Sequence, residues 1–117
     1  MERRDREGKK IIMVKIELEL NKKEIGEMEK RLLVNEMVLD MLPLAGIKNG
    51  KEITGRKYYI SNRPSNIDYE LEIFAYKDFT NDRPSCEVKV KSENKDVLQK
   101  LLEKIRNIYE YIKIGAK

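Results

Sequence analysis

Histidine and tryptophan are absent from this 117-residue chain, and cysteine occurs once, at Cys86. Each absence removes a class of chemistry. Without an imidazole there is no histidine-activated serine or cysteine nucleophile. One cysteine excludes an internal disulfide and a cysteine-rich zinc site. Cys86 falls in an alternating segment, where a small buried hydrophobe is expected. Metal binding would rest on carboxylates alone, and Asp78 and Asp82, bracketing Asn81, lack the spaced ligands and central glycine of a calcium loop. Gly46, Gly50 and Gly55 fit neither a P-loop nor a dinucleotide fingerprint. The expectation is a protein that is not an enzyme and carries no cofactor and no metal.

Long apolar runs are missing too. None approaches the ~20 residues that span a bilayer, and the first residues have no signal-peptide apolar segment. A cytoplasmic protein is expected.

What the chain has is charge. Charged residues make up 39% and are rich in Lys and Glu, a thermophile-like balance. The net charge of +4 is half local. Residues 1–10 hold Arg3, Arg4, Arg6, Lys9 and Lys10 against Glu2, Asp5 and Glu7, a net +2. They read as a flexible charged tail, leaving 11–117 as a single domain.

Apolar periodicity divides that domain. Ile11 to Leu20 alternates, with Ile12, Val14, Ile16, Leu18 and Leu20 on one side, and reads as a half-buried strand. Asn21 followed by Glu24 forms a capping box opening a helix. The helical pattern runs to Leu42 and stops before Pro43. Asn49-Gly50 marks a hairpin turn between a short strand near 45–48 and a longer one over 51–61. Gly55 within the second predicts a bulge or bend. Ile67 to Lys77 alternates, with Ile67, Tyr69, Leu71, Ile73 and Ala75 inward and Asp68, Glu70, Glu72, Phe74 and Tyr76 outward. Cys86 to Lys91 alternates as well. Val97, Leu98, Leu101, Leu102, Ile105, Ile108, Tyr109 and Ile112 give one apolar face to a helix over 95–113.

The fold class expected is α+β, a two-layer sandwich of β-α-β(3-4)-α order with an antiparallel meander sheet and helices on one face. In element order this resembles the repeat unit of the TATA-box-binding protein fold and the helix-grip proteins. The latter resemblance implies a third function class, a small-ligand carrier or enzyme holding its ligand between sheet and helix.

Two segments share a chemistry. Lys57 to Ser65 and Lys77 to Ser85 both run from lysine through an aromatic to Arg-Pro-Ser. Proline with Asn, Asp and Ser is turn composition. A strand of ten residues at ~3.3 Å each keeps Arg63 and Arg83 too far apart to clamp one anion in a monomer. They read as two turns.

Carboxylate pairs on one strand face, Glu70 with Glu72 and Glu17 with Glu19, stand opposite Lys89 and Lys91 and read as cross-strand ion pairs. Nucleic-acid binding would use Lys48, Lys51, Arg56, Lys57, Tyr58 and Arg63 around the hairpin, where aromatics lie among cations. The outward sheet face opposes it, with Lys15, Lys89 and Lys91 against Glu17, Glu19, Asp68, Glu70, Glu72 and Glu87, a balance that repels phosphate.

The first helix carries the leading expectation. Placed at 100° per residue, Ile25, Met28, Leu32, Leu39 and Leu42 form one stripe. Leu33, Val34, Met37, Val38 and Met41 form a second on nearly the opposite side. A sheet can cover only one. The second stripe is assigned to the C-terminal helix or to another subunit, and a non-catalytic, self-associating, dimeric binding or assembly module is expected. Nucleic-acid binding is the alternative.

Overall fold

A computed structural model describes residues 10–48, 50–61, 67–77 and 86–115. The elements in chain order are β1 (Ile12–Leu18), α1 (Lys22–Leu33), β2 (Met37–Lys48), β3 (Lys51–Ser61), β4 (Tyr69–Tyr76), β5 (Cys86–Ser92) and α2 (Lys95–Glu110), with a π-type turn over Tyr111–Gly115. The five strands form one antiparallel sheet in the order β1-β5-β4-β3-β2. β1 and β2 are therefore its edges. No helix among the described residues is long and apolar enough to cross a membrane.

Alternation decides which sheet face is covered. β4 turns Tyr69, Leu71 and Ile73 toward the helices, β5 adds Cys86, Val88 and Val90, and β3 adds Tyr58 and Ile60. α1 contributes Met28 and Leu32, and α2 contributes Leu98, Leu101, Ile105 and Ile108. These side chains form one buried cluster, within which Cys86 is 0% exposed. Burial, aided by the charges of Glu87 and Glu29, pushes the Cys86 thiol up to about 12. It is an inert core residue.

Both helices begin as their sequences ask. The Asn21 side chain accepts from the Glu24 amide at 2.8 Å, and the Asn21 amide donates to the Glu24 carboxylate at 2.9 Å. Asn94 accepts from the amides of Asp96 and Val97. Each cap satisfies donors that a helix leaves without partners.

The first helix ends nine residues earlier than its apolar spacing predicts. Asn35 sits at φ 66, a left-handed conformation that asparagine tolerates and that commonly stops a helix. The Val34 amide donates to the Lys30 carbonyl and the Glu36 amide to the Leu33 carbonyl, closing the helix end. The segment expected to continue as helix is instead β2, twelve residues long, and it absorbs the short strand expected near 45–48. Pro43, read as a helix stop, lies inside that strand.

Two further readings change. Phe74 and Tyr76 belong to the outward face yet are 1% and 8% exposed, so that face is not uniformly wet. Gly55 marks no bulge. The bulge lies between Val38 and Asp40. At Gly55 a β carbon would come within 2.5 Å of Phe74 Cα, so the glycine lets β4 and its aromatic side chain close over β3.

Candidate functional site

The second apolar stripe does not exist as one helical face. Leu33 closes α1 and packs partly against the core. Val34, at the helix cap, is 57% exposed. Met37, Val38 and Met41 lie on β2, at 45%, 40% and 46% exposure, joined by Leu39 and Leu42. What was expected to bury against α2 or a subunit is an apolar edge strand. Of β2's twelve residues, only Leu44 and Lys48 are partly covered.

The register places these side chains on both sides of the sheet. Val38 and Met41 pair with Ile60 and Tyr58, which are core residues, so they share the helix side. Met37 and Leu42 pair with Ser61 and Lys57 and take the opposite side. Alternation along a strand requires this split.

The hydrogen-bonding phase of the edge follows from β3. The Ile60 carbonyl accepts from the Asp68 amide and the Glu52 carbonyl accepts from the Lys77 amide. Even-numbered residues of β3 thus point toward β4, and odd-numbered ones toward β2. Their partners Leu42, Leu44, Gly46 and Lys48 bond inward. Met41, Pro43, Ala45 and Ile47 consequently present their backbone groups to an edge that no described strand covers, where the Met41 amide donates to the Asp40 carboxylate at 2.9 Å. Pro43 has no N–H to offer, so it interrupts the edge at one position without costing the β2–β3 ladder a bond. The two strands meet at Lys48 and Lys51, with Gly50 at φ 75 serving the turn; Asn49 lies outside the described residues.

The described basic residues weighed for nucleic acid do not converge. Lys48 and Lys51 face each other at the hairpin end, and Lys48 Nζ lies 5.2 Å from the Phe74 ring centroid. Lys57 is on the outer face within 3.3 Å of Glu70 and 3.8 Å of Glu72. Arg56 and Tyr58 are on the helix face, both bonded to Glu29 of α1. Arg63 lies outside the described residues, as do both Arg-Pro-Ser segments and Asp78, Asn81 and Asp82.

Carboxylates on the outer face pair across strands. Glu72 lies 3.4 Å from Lys89, and Glu70 lies 4.0 Å from Lys91. With Lys57, Glu70 and Glu72 form a net across β3, β4 and β5, the arrangement their spacing predicts, whereas Glu17 stands opposite Glu87 and Lys15 opposite Lys89, like charges facing each other. Among the described residues no group of three or more acidic, histidine or cysteine side chains is placed to hold a metal ion.

On the helix face, Glu29 is the chemical focus. Its oxygens lie 3.1 and 3.2 Å from Arg56 Nη1, and the Tyr58 hydroxyl donates to Oε2. Burial, then the Glu29 carboxylate, pushes the Tyr58 hydroxyl up to about 12. Glu29 raises Arg56 above the ordinary guanidinium range. Tyr58 and Arg56 were readable as a cation beside an aromatic. Their carboxylate partner was not, because it lies 27 and 29 positions earlier on another element. No protein-family model, curated protein or solved structure matches the chain.

Proposed function

We propose that this protein is a non-catalytic, self-associating binding or assembly module, a two-layer α+β unit that dimerises along the β2 edge. The observation that carries this reading is the composition of β2. An edge strand is ordinarily blunted by charge, shortness, proline, a bulge or cover, and β2 has Pro43 and the bulge between Val38 and Asp40. It is nonetheless twelve residues long. It exposes Met37, Val38, Leu39, Met41 and Leu42 in its first half, with Val34 beside them.

Two copies related by a two-fold axis would pair β2 with β2 antiparallel, each edge supplying what the other lacks. Each of these side chains is roughly half exposed, so completing its burial contributes on the order of 1 kcal/mol. Methionines suit such a contact because their unbranched chains adapt to a facing surface. Pro43 limits pairing to one half of the strand, which favours a closed dimer over an extended stack of edges.

Light scattering tests the reading. The wild type is expected at twice the 13.9 kDa chain mass, and Met37→Lys at a single chain mass. Wild type and variant both running as monomers would refute it.

A further inference from the structure

A cleft of about 560 Å³ opens on the helix side, between the first half of α1 and the strands β2, β3 and β4. Its size falls in the ~300–1,000 Å³ range of small-molecule sites. Gly26, in the interior of α1, lines it. Glycine there costs about 1 kcal/mol relative to alanine, and no contact among the described residues explains the cost. Gly26 is not among the glycines with positive φ. A β carbon built on it meets no atom within 4 Å. The space above the residue is the cleft itself.

The remaining lining sorts by chemistry. Ile25, Pro43, Ala45, Ile73 and Ala75 are apolar. Lys22, Arg56 and Glu29 are its charged members, two cations and one carboxylate. Glu29 is already satisfied by Arg56 and Tyr58. Arg56 meets Glu29 through Nη1, and its side chain is 53% exposed, so its guanidinium is within reach of an incoming anion. A site that is apolar along its walls and net positive at its charged groups complements a molecule with the converse character.

We propose that this cleft binds a small amphipathic carboxylate, its apolar body lying over Gly26 and its head meeting Arg56 and Lys22. The inference is independent of the dimer: the cleft lies between α1 and the sheet and takes in β2 only at Pro43, Leu44 and Ala45, whereas dimerisation concerns the half of that strand before Pro43.

Anilinonaphthalene sulfonate, an aromatic body with one anionic head, serves as the probe. It is titrated into wild type, Gly26→Leu and Lys22→Met, with decanoate and decanol as competitors. Leucine is a better helix former than glycine, so Gly26→Leu should melt no lower than wild type while its side chain fills the cleft. The expected result is saturable binding to wild type and about tenfold weaker binding to Gly26→Leu. Lys22→Met should lose about threefold, and decanoate should displace the probe about tenfold better than decanol. Equal affinity in wild type and Gly26→Leu would overturn the proposal, as would absence of saturable binding or equal displacement by the two competitors. Loss of dimer mass in Gly26→Leu would also overturn it, by assigning the cleft to a second copy. Failure of the dimer reading is seen separately, as a wild type with monomer mass.

Discussion

Glu29 of α1 holds Arg56 of β3 with both carboxylate oxygens, at 3.1 and 3.2 Å from one guanidinium nitrogen. The Glu29 side chain is 15% exposed and that of Arg56 53%, so the bond ties a sheltered carboxylate on the helix to a cation at the surface. Tyr58, 7% exposed, adds its hydroxyl to the same carboxylate. The cluster ties the first helix to the third strand.

Removing Glu29 should therefore cost more than a surface ion pair. Glu29→Ala leaves the Tyr58 hydroxyl without its acceptor, a loss of about 1–3 kcal/mol. Urea denaturation of wild type and variant measures it. A change within a few tenths would show that the cluster contributes no more than an exposed pair.

Stability should fall in alkali, and the sign follows from three groups shifted the same way. Cys86 and Tyr58 are each pushed up to about 12 from ordinary values of 9.0 and 10.0, and Tyr69 is raised further by burial. The folded state keeps these groups protonated while the unfolded chain releases their protons. Their contribution is complete below pH 9 and is lost as pH rises through 9 and 10 toward 12. Denaturant midpoints between pH 7 and 11 check this. Tyr58→Phe, which cannot ionise, should show a shallower decline.

Asn35 should accept glycine and reject β-branched residues. Its φ of 66 is unfavourable for most side chains by about 1–2 kcal/mol. Asn35→Gly should melt near wild type, and Asn35→Val should be destabilised by that amount. Equal loss in both would point to the side chain rather than the backbone.

Gly55→Ala should be among the more damaging small substitutions. The added carbon meets the backbone of β4, including Phe74 Cα at 2.5 Å, and a backbone contact cannot be relieved by a rotamer change. Overpacking of this kind costs about 1–3 kcal/mol. Thermal melts would show it, and an unchanged midpoint would mean the strands separate freely at that point.

The sequence was legible wherever an element buries one face. β1, β4, β5 and α2 each have a covered side, so their apolar positions keep a period of two or of three to four. The segment at 34–42 misled because β2 is exposed on both faces and has no such period. Apolar residues there fell by chance into helical spacing. The signal that separated them was Asn35 behind Lys30 and Arg31, a helix end written in a residue that tolerates positive φ. The apolar surface at Val34, Met37, Val38 and Met41 was visible as excess, and only its geometry was misread. The cleft was not legible, since Gly26 gains meaning only from the empty space above it.

Concentration-dependent amide exchange at the β2 edge tests the dimer most directly. In the half of β2 before Pro43, the outward N–H of Val38 meets no partner strand among the described residues, and that of Met41 donates only to the neighbouring Asp40 carboxylate, at 2.9 Å. In the wild type their protection should rise steeply with protein concentration, while the inward amides of Leu42 and Leu44 change little. Exchange at Val38 and Met41 that stays fast at every concentration would contradict pairing through this edge.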